Sequence, residues 1–67
     1  MKTSPFNKNL HAFLLKKGYK YIEHTRYDRY DKDGITVFYY MNNYIMVLDK
    51  DGEPAPKSVV RELERIL

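Results

Sequence analysis

Cysteine is absent from the chain. No disulfide and no thiolate metal site can therefore reinforce it, and a reducing cytoplasm is its simplest home. Long hydrophobic runs are absent too. The apolar cluster Ala12 to Leu15 stops at once at Lys16 and Lys17, too short for a signal sequence or a membrane span, so a soluble, unexported protein with no membrane partner is expected. There is no Ser-His-Asp or Cys-His arrangement and no glycine-rich phosphate loop, and the carboxylates fall mainly in turn-like segments. These gaps remove the usual sequence signs of nucleophilic, acid–base and nucleotide chemistry. The expectation is a non-enzymatic protein without a cofactor. No linker or low-complexity tract divides the 67 residues, which read as a single small domain. A chain of this size buries only about 60% of the surface its unfolded form exposes, so its stability margin is narrow.

What is present is tyrosine, at seven copies, and an uneven charge. Residues 1–32 hold eight Lys and Arg against three acids, a balance of +5, whereas residues 33–67 hold four against six, or −2. A basic half of this kind can meet phosphate, an acidic protein or an anionic surface.

Ser4-Pro5 reads as a helix start, a serine cap before a proline at the first helical position. Phe6, Leu10, Phe13 and Leu14 form one apolar stripe, Lys16 and Lys17 suit the negative end of the helix dipole, and Gly18 suits its C-terminal cap. A helix over 5–17 follows. YKYIEHTRYDRYD, residues 19–31, is expected as one strand. Asp33-Gly34 in the DKDG segment suits the positive φ angles of a tight hairpin. Residues 35–41 and 44 to 48 or 49 are expected as the next two strands, joined by Asn42-Asn43. A second DKDG, 49–52, ends the last strand, and Pro54 and Pro56 lead into a helix whose buried stripe is Val59, Val60, Leu63, Ile66 and Leu67. The expected fold is α+β: a three-stranded antiparallel sheet in the order α-β-β-β-α, with both helices on one face.

ITVFYYMNNYIMVL, residues 35–48, carries no charged side chain. A two-residue loop at Asn42-Asn43 would set Met41 opposite Tyr44, Tyr39 opposite Met46 and Val37 opposite Leu48. One face, with Ile35, Val37, Tyr39, Met41, Tyr44, Met46 and Leu48, would then carry the helices. The other would show Thr36, Phe38, Tyr40, Ile45 and Val47 to solvent, where an antiparallel sheet normally turns polar. A contiguous apolar patch of this kind can mark an interaction site. The expected protein-binding surface is Phe38, Tyr40, Ile45 and Val47, with Tyr27, Arg26 and Arg29 as a polar margin. Its partner is another protein or a second copy of the chain. The plainer reading lays the Tyr and Arg side chains of the first strand over the patch.

Other groupings compete. Lys16, Lys17, Lys20, Arg26, Arg29 and Lys32 interleave with Tyr19, Tyr21, Tyr27 and Tyr30. Cations neutralise phosphate and tyrosines stack on bases, so RNA or DNA is the alternative partner, with Lys16, Lys17, Lys20, Arg26, Arg29, Tyr27 and Tyr30 as the binding set. An edge strand guarded by charge gives the same pattern. His24 near Arg26 could act as a general base on RNA, although a half-exposed strand histidine explains it as well. The DKDG segments mimic calcium loops, but the required ligand positions fall on Arg29 and Tyr40 for the first and on Val47 and Ser58 for the second. His11 and His24 alone do not make a metal set. Lys57, Arg61 and Arg65 line one side of the last helix, where Glu62 and Glu64 make an ordinary solvated face.

LLKKGYKYIEH, the DKDG turn and the Pro-led APKSVVRELERIL resemble the small α-β-β-β-α domain shared by HicA-type toxins and double-stranded-RNA-binding domains. The resemblance implies both helices on one sheet face and, for the toxins, RNA cleavage by a strand-one histidine. Here that stretch reads TRYDRYD. Tyr27 or Arg26 stands about where that histidine would be, and His24 comes too early. The resemblance therefore implies the fold and not the nuclease. The resulting expectation is a small interaction module of the accessory kind carried by bacteria and their phages.

Overall fold

The structure, a computed structural model, describes residues 6–41 and 44–67. Asn7 opens the first helix, α1 (Lys8–Lys16), its side-chain oxygen accepting the Leu10 N–H at 2.9 Å. Asparagine is a strong N-cap because it supplies an acceptor to an otherwise orphaned amide. The helix thus begins three residues later than expected; Ser4 and Pro5 lie outside the described residues. Its other end is closed at Gly18 (φ +96°), where Gly18 N–H donates to Leu15 C=O and Tyr19 N–H to Leu14 C=O, both at 3.0 Å. This reciprocal pair satisfies two free carbonyls and requires the left-handed backbone that glycine supplies.

Four strands follow: β1 (Lys20–Glu23), β2 (Asp28–Lys32), β3 (Ile35–Tyr40) and β4 (Tyr44–Leu48), antiparallel and in spatial order β1-β2-β3-β4. The last helix is α2 (Lys57–Glu64). The fold is α+β, with four strands rather than three, because residues 19–31 fold back on themselves. Their turn has no glycine, proline or asparagine. Side chains close it instead: the His24 ring lies flat on Tyr27 at 4.3 Å with 3° between planes, and His24 Nδ1 accepts a long 3.5 Å contact from Arg26 N–H. The β2–β3 turn is as expected, with Lys32 opposite Ile35 and positive φ at Asp33 (46°) and Gly34 (82°).

The β3–β4 register corrects the expected one. Tyr40, not Met41, faces Tyr44, so three residues separate the strands; Asn42 and Asn43 lie outside the described residues. Side chains alternate along a strand, so this one-residue step reverses which face each β4 residue takes. Val37 pairs with Val47 and Tyr39 with Ile45. Ile45 and Val47 therefore belong to the helix side, Val47 buried in the core and Ile45 packed against it. The register that buries these branched side chains is the one that forms.

The core unites both helices with one sheet face: Leu10 and Leu14 of α1, Leu63 of α2 and Ala55 join Tyr30, Val37, Tyr39 and Val47. Each large apolar side chain fully buried here contributes about 1.5–3 kcal/mol. Phe13, Val59, Val60, Ile66 and Leu67 pack around this cluster. Phe6, expected in the α1 stripe, instead precedes the helix and lies exposed against the His11 ring at 4.7 Å. Two polar contacts are built into the covered side. The Tyr21 hydroxyl donates to Asp28 Oδ1 at 2.9 Å, and His11 Nδ1 shares a 2.9 Å hydrogen bond with the Tyr30 hydroxyl. Asp28 is wholly buried, and its Oδ2 has no hydrogen-bond partner among the described residues.

After β4, Asp49 Oδ1 accepts the N–H groups of Asp51 and Glu53 at 2.9 and 3.0 Å. The chain then returns along the outer edge of β4, where Ala55 N–H donates to Val47 C=O at 2.9 Å and Pro54 bridges Leu48. Proline suits such an edge because no further ladder bond is required of it.

Candidate functional site

Both helices contribute to one face, and the strand registers order the other. Continuing the β1–β2 and β2–β3 registers by one residue sets His24 beside Tyr27 and Tyr27 beside Tyr40, and Tyr40 pairs with Tyr44. One row crossing all four strands is therefore His24, Tyr27, Tyr40, Tyr44. The rings touch in sequence: His24 to Tyr27 at 4.3 Å, Tyr27 to Tyr40 at 5.6 Å and Tyr40 to Tyr44 at 5.6 Å between centroids. These tilted and stacked arrangements are favourable for aromatic pairs.

The next row is Ile22, Arg29, Phe38, Met46, and the third is Lys20, Asp31, Thr36, Leu48. Phe38 meets the edge of Tyr27 at 5.2 Å, and the Arg29 guanidinium stands 5.8 Å over the Phe38 ring. Arg29 Nε also donates to Asp31 at 3.1 Å, so the cation in the centre of the face is matched by its own neighbour. The first two rows contain no Lys, Asp or Glu. Tyr44 is 57% exposed, Ile22 40% and Met46 38%, and Met41, which follows Tyr40 in the chain, is 66% exposed.

Of the residues expected in a protein-binding surface, the structure brings Phe38, Tyr40, Tyr27 and Arg29 together. Arg26 lies exposed in the turn beyond the aromatic row. Ile45 and Val47 are removed to the core side. Ile22, His24, Tyr44 and Met46 replace them, and reading YIMVL from a three-residue loop would have found the last two.

The expected nucleic-acid set does not converge. Lys16, Lys17 and Lys20 lie at the α1 end of the sheet, while Arg26 and Tyr27 lie at the opposite end of β2, roughly 17 Å of strand away. Lys32 Nζ donates to the Lys17 carbonyl and lies 5.7 Å over Tyr19, and Lys17 lies 5.4 Å over Phe13. Tyr30 is buried and cannot stack on a base. Burial, followed by the negative charge of Asp28, pushes its phenol well above the ordinary value. Tyr19 is pushed up as well, by burial and then by Glu62 and Asp33.

Among the described residues, no group of three or more His, Asp and Glu side chains is placed to hold a metal ion, and no helix is long and apolar enough to cross a membrane. The chain matches no protein-family model, and no curated protein or solved structure is significantly similar to it.

Proposed function

We propose that this protein is a non-enzymatic interaction module that binds a protein partner through the helix-free face of its sheet. The observation that carries this reading is the aromatic row His24–Tyr27–Tyr40–Tyr44, backed by Ile22, Arg29, Phe38 and Met46. Tyr, Phe, Met and Arg are the residues enriched at the centres of protein interfaces, and Lys, Glu and Asp are those depleted there. The two rows match on both counts. Aromatic rings already packed against one another also lose little side-chain freedom on docking, which lowers the cost of binding.

A photo-crosslinking amino acid placed at Tyr40 or Met46 in cells tests the reading. It should trap a discrete protein adduct, while the same group at exposed Glu62 on α2 should not. Equal labelling at the two sites, no adduct at the face, or an adduct destroyed by ribonuclease would overturn it.

A further inference from the structure

The face is complementary to itself, and we infer that its occupant is a second copy of this chain, packed sheet to sheet about a two-fold axis that runs along the strands between β2 and β3. This rests on the face being a protein-binding surface and names what binds it. Such an axis lays β1 over the partner's β4 and β2 over the partner's β3, and it keeps each row over its own counterpart. Arg29 then stands opposite the partner's Phe38, Ile22 opposite the partner's Met46, and Tyr27 opposite the partner's Tyr40. Lys20 meets the partner's Leu48 and Asp31 meets the partner's Thr36, so no like charges stand directly opposite each other. The perpendicular in-plane axis through the middle row would set Arg29 directly against the partner's Arg29, which charge disfavours. The Arg29–Asp31 pair within each copy leaves no uncompensated charge at the centre.

Area supports the same conclusion. Three rows on four strands, at strand and side-chain repeats of about 4.8 and 6.8 Å, give a flat footprint of roughly 400 Å² per copy. Two copies bring together about 800 Å², and more as accessible surface because the side chains stand in relief, which approaches the floor of about 1,000 Å² for specific association. Aligned packing at a sheet spacing of about 10 Å suits two twisted antiparallel sheets. The dimer is expected to dissociate between about 10 µM and about 1 mM, at the small end of stable interfaces.

Sedimentation equilibrium of the full chain from about 10 µM to about 1 mM should show mass rising from 8.1 kDa toward twice that value. Phe38→Asp and Met46→Glu should each remove the dimer, with circular dichroism reporting whether either variant stays folded. The chain has no native cysteine, so placement can be read by cross-linking. A mixture of I22C and M46C proteins, treated with a bismaleimide whose reach matches the sheet spacing of about 10 Å, should join heterotypically. I22C alone should not, since its copies lie about 17 Å apart across the axis. A dimer that survives both face variants, or that joins I22C to I22C, overturns the proposal. So does a monomer at every concentration. If that monomer still yields protein adducts at Tyr40 in cells, a foreign partner covers the face and only the second copy is excluded. If it yields none, the interaction reading falls with it.

Discussion

At the scale of single residues, two hydroxyls carry different weights. Tyr21 donates to a carboxylate that is wholly buried, whereas the hydroxyl of Tyr30 meets a histidine ring nitrogen. Hydrogen bonds to a charged group contribute about 1.5–3 kcal/mol against about 0.5–1.5 for neutral pairs. Tyr21→Phe should therefore cost more than Tyr30→Phe in urea unfolding; the reverse order would mean that Asp28 is not held by that bond. Tyr30 also sets an alkaline limit. Its folded phenol keeps its proton where the unfolded chain, near the ordinary value of 10, releases it. The contribution is complete below that value and is lost as pH rises above it, at up to about 1.4 kcal/mol per pH unit. Unfolding curves between neutral pH and strong alkali should show the fall, and Tyr30→Phe should flatten it.

At the scale of elements, legibility followed the turn chemistry. Asp33-Gly34 announced its hairpin because positive φ demands such residues, and the geometry is unforgiving: a Cβ on Gly34 would sit 3.0 Å from the Lys50 Cβ. Gly34→Ala should therefore destabilise by at least about 1 kcal/mol, measured by thermal melting, while an unchanged melt would show that neither the positive φ nor the Lys50 contact constrains the position. The turn between β1 and β2 was silent because a stacked His24–Tyr27 pair closes it, and nothing in HTRY marks that in advance. One missed turn divided one expected strand into two. The stripes of α1 and α2 were readable from spacing, since Leu10, Leu14 and Leu63 are buried where a helical period puts them. Phe6, however, precedes α1, and Ile66 and Leu67 pack against the core from beyond the end of α2. The residues on the helix-free face of β3 were readable from the two-residue alternation of a strand. Those on β4 were not, because a loop one residue longer exchanges Ile45 and Val47 for Tyr44 and Met46.

At the scale of the whole molecule, one layer of helices covers one side of one sheet, with no covalent staple. Small domains of this kind gain stability from whatever covers their remaining apolar surface. If a second copy does so, the melting temperature should rise with protein concentration, because association stabilises the folded state by mass action. A melt independent of concentration, in the range where sedimentation finds dimers, would mean that the pair forms without supporting the fold. The return segment along β4 limits what else association can become. Ala55 already occupies the Val47 carbonyl, and Pro54 has no N–H to offer. A filament built strand by strand needs an open seat on each side of every subunit, and here one seat is taken by the chain itself. Growth by edge addition on that side thus carries its own stop, and a pair formed across the faces as proposed would end at two.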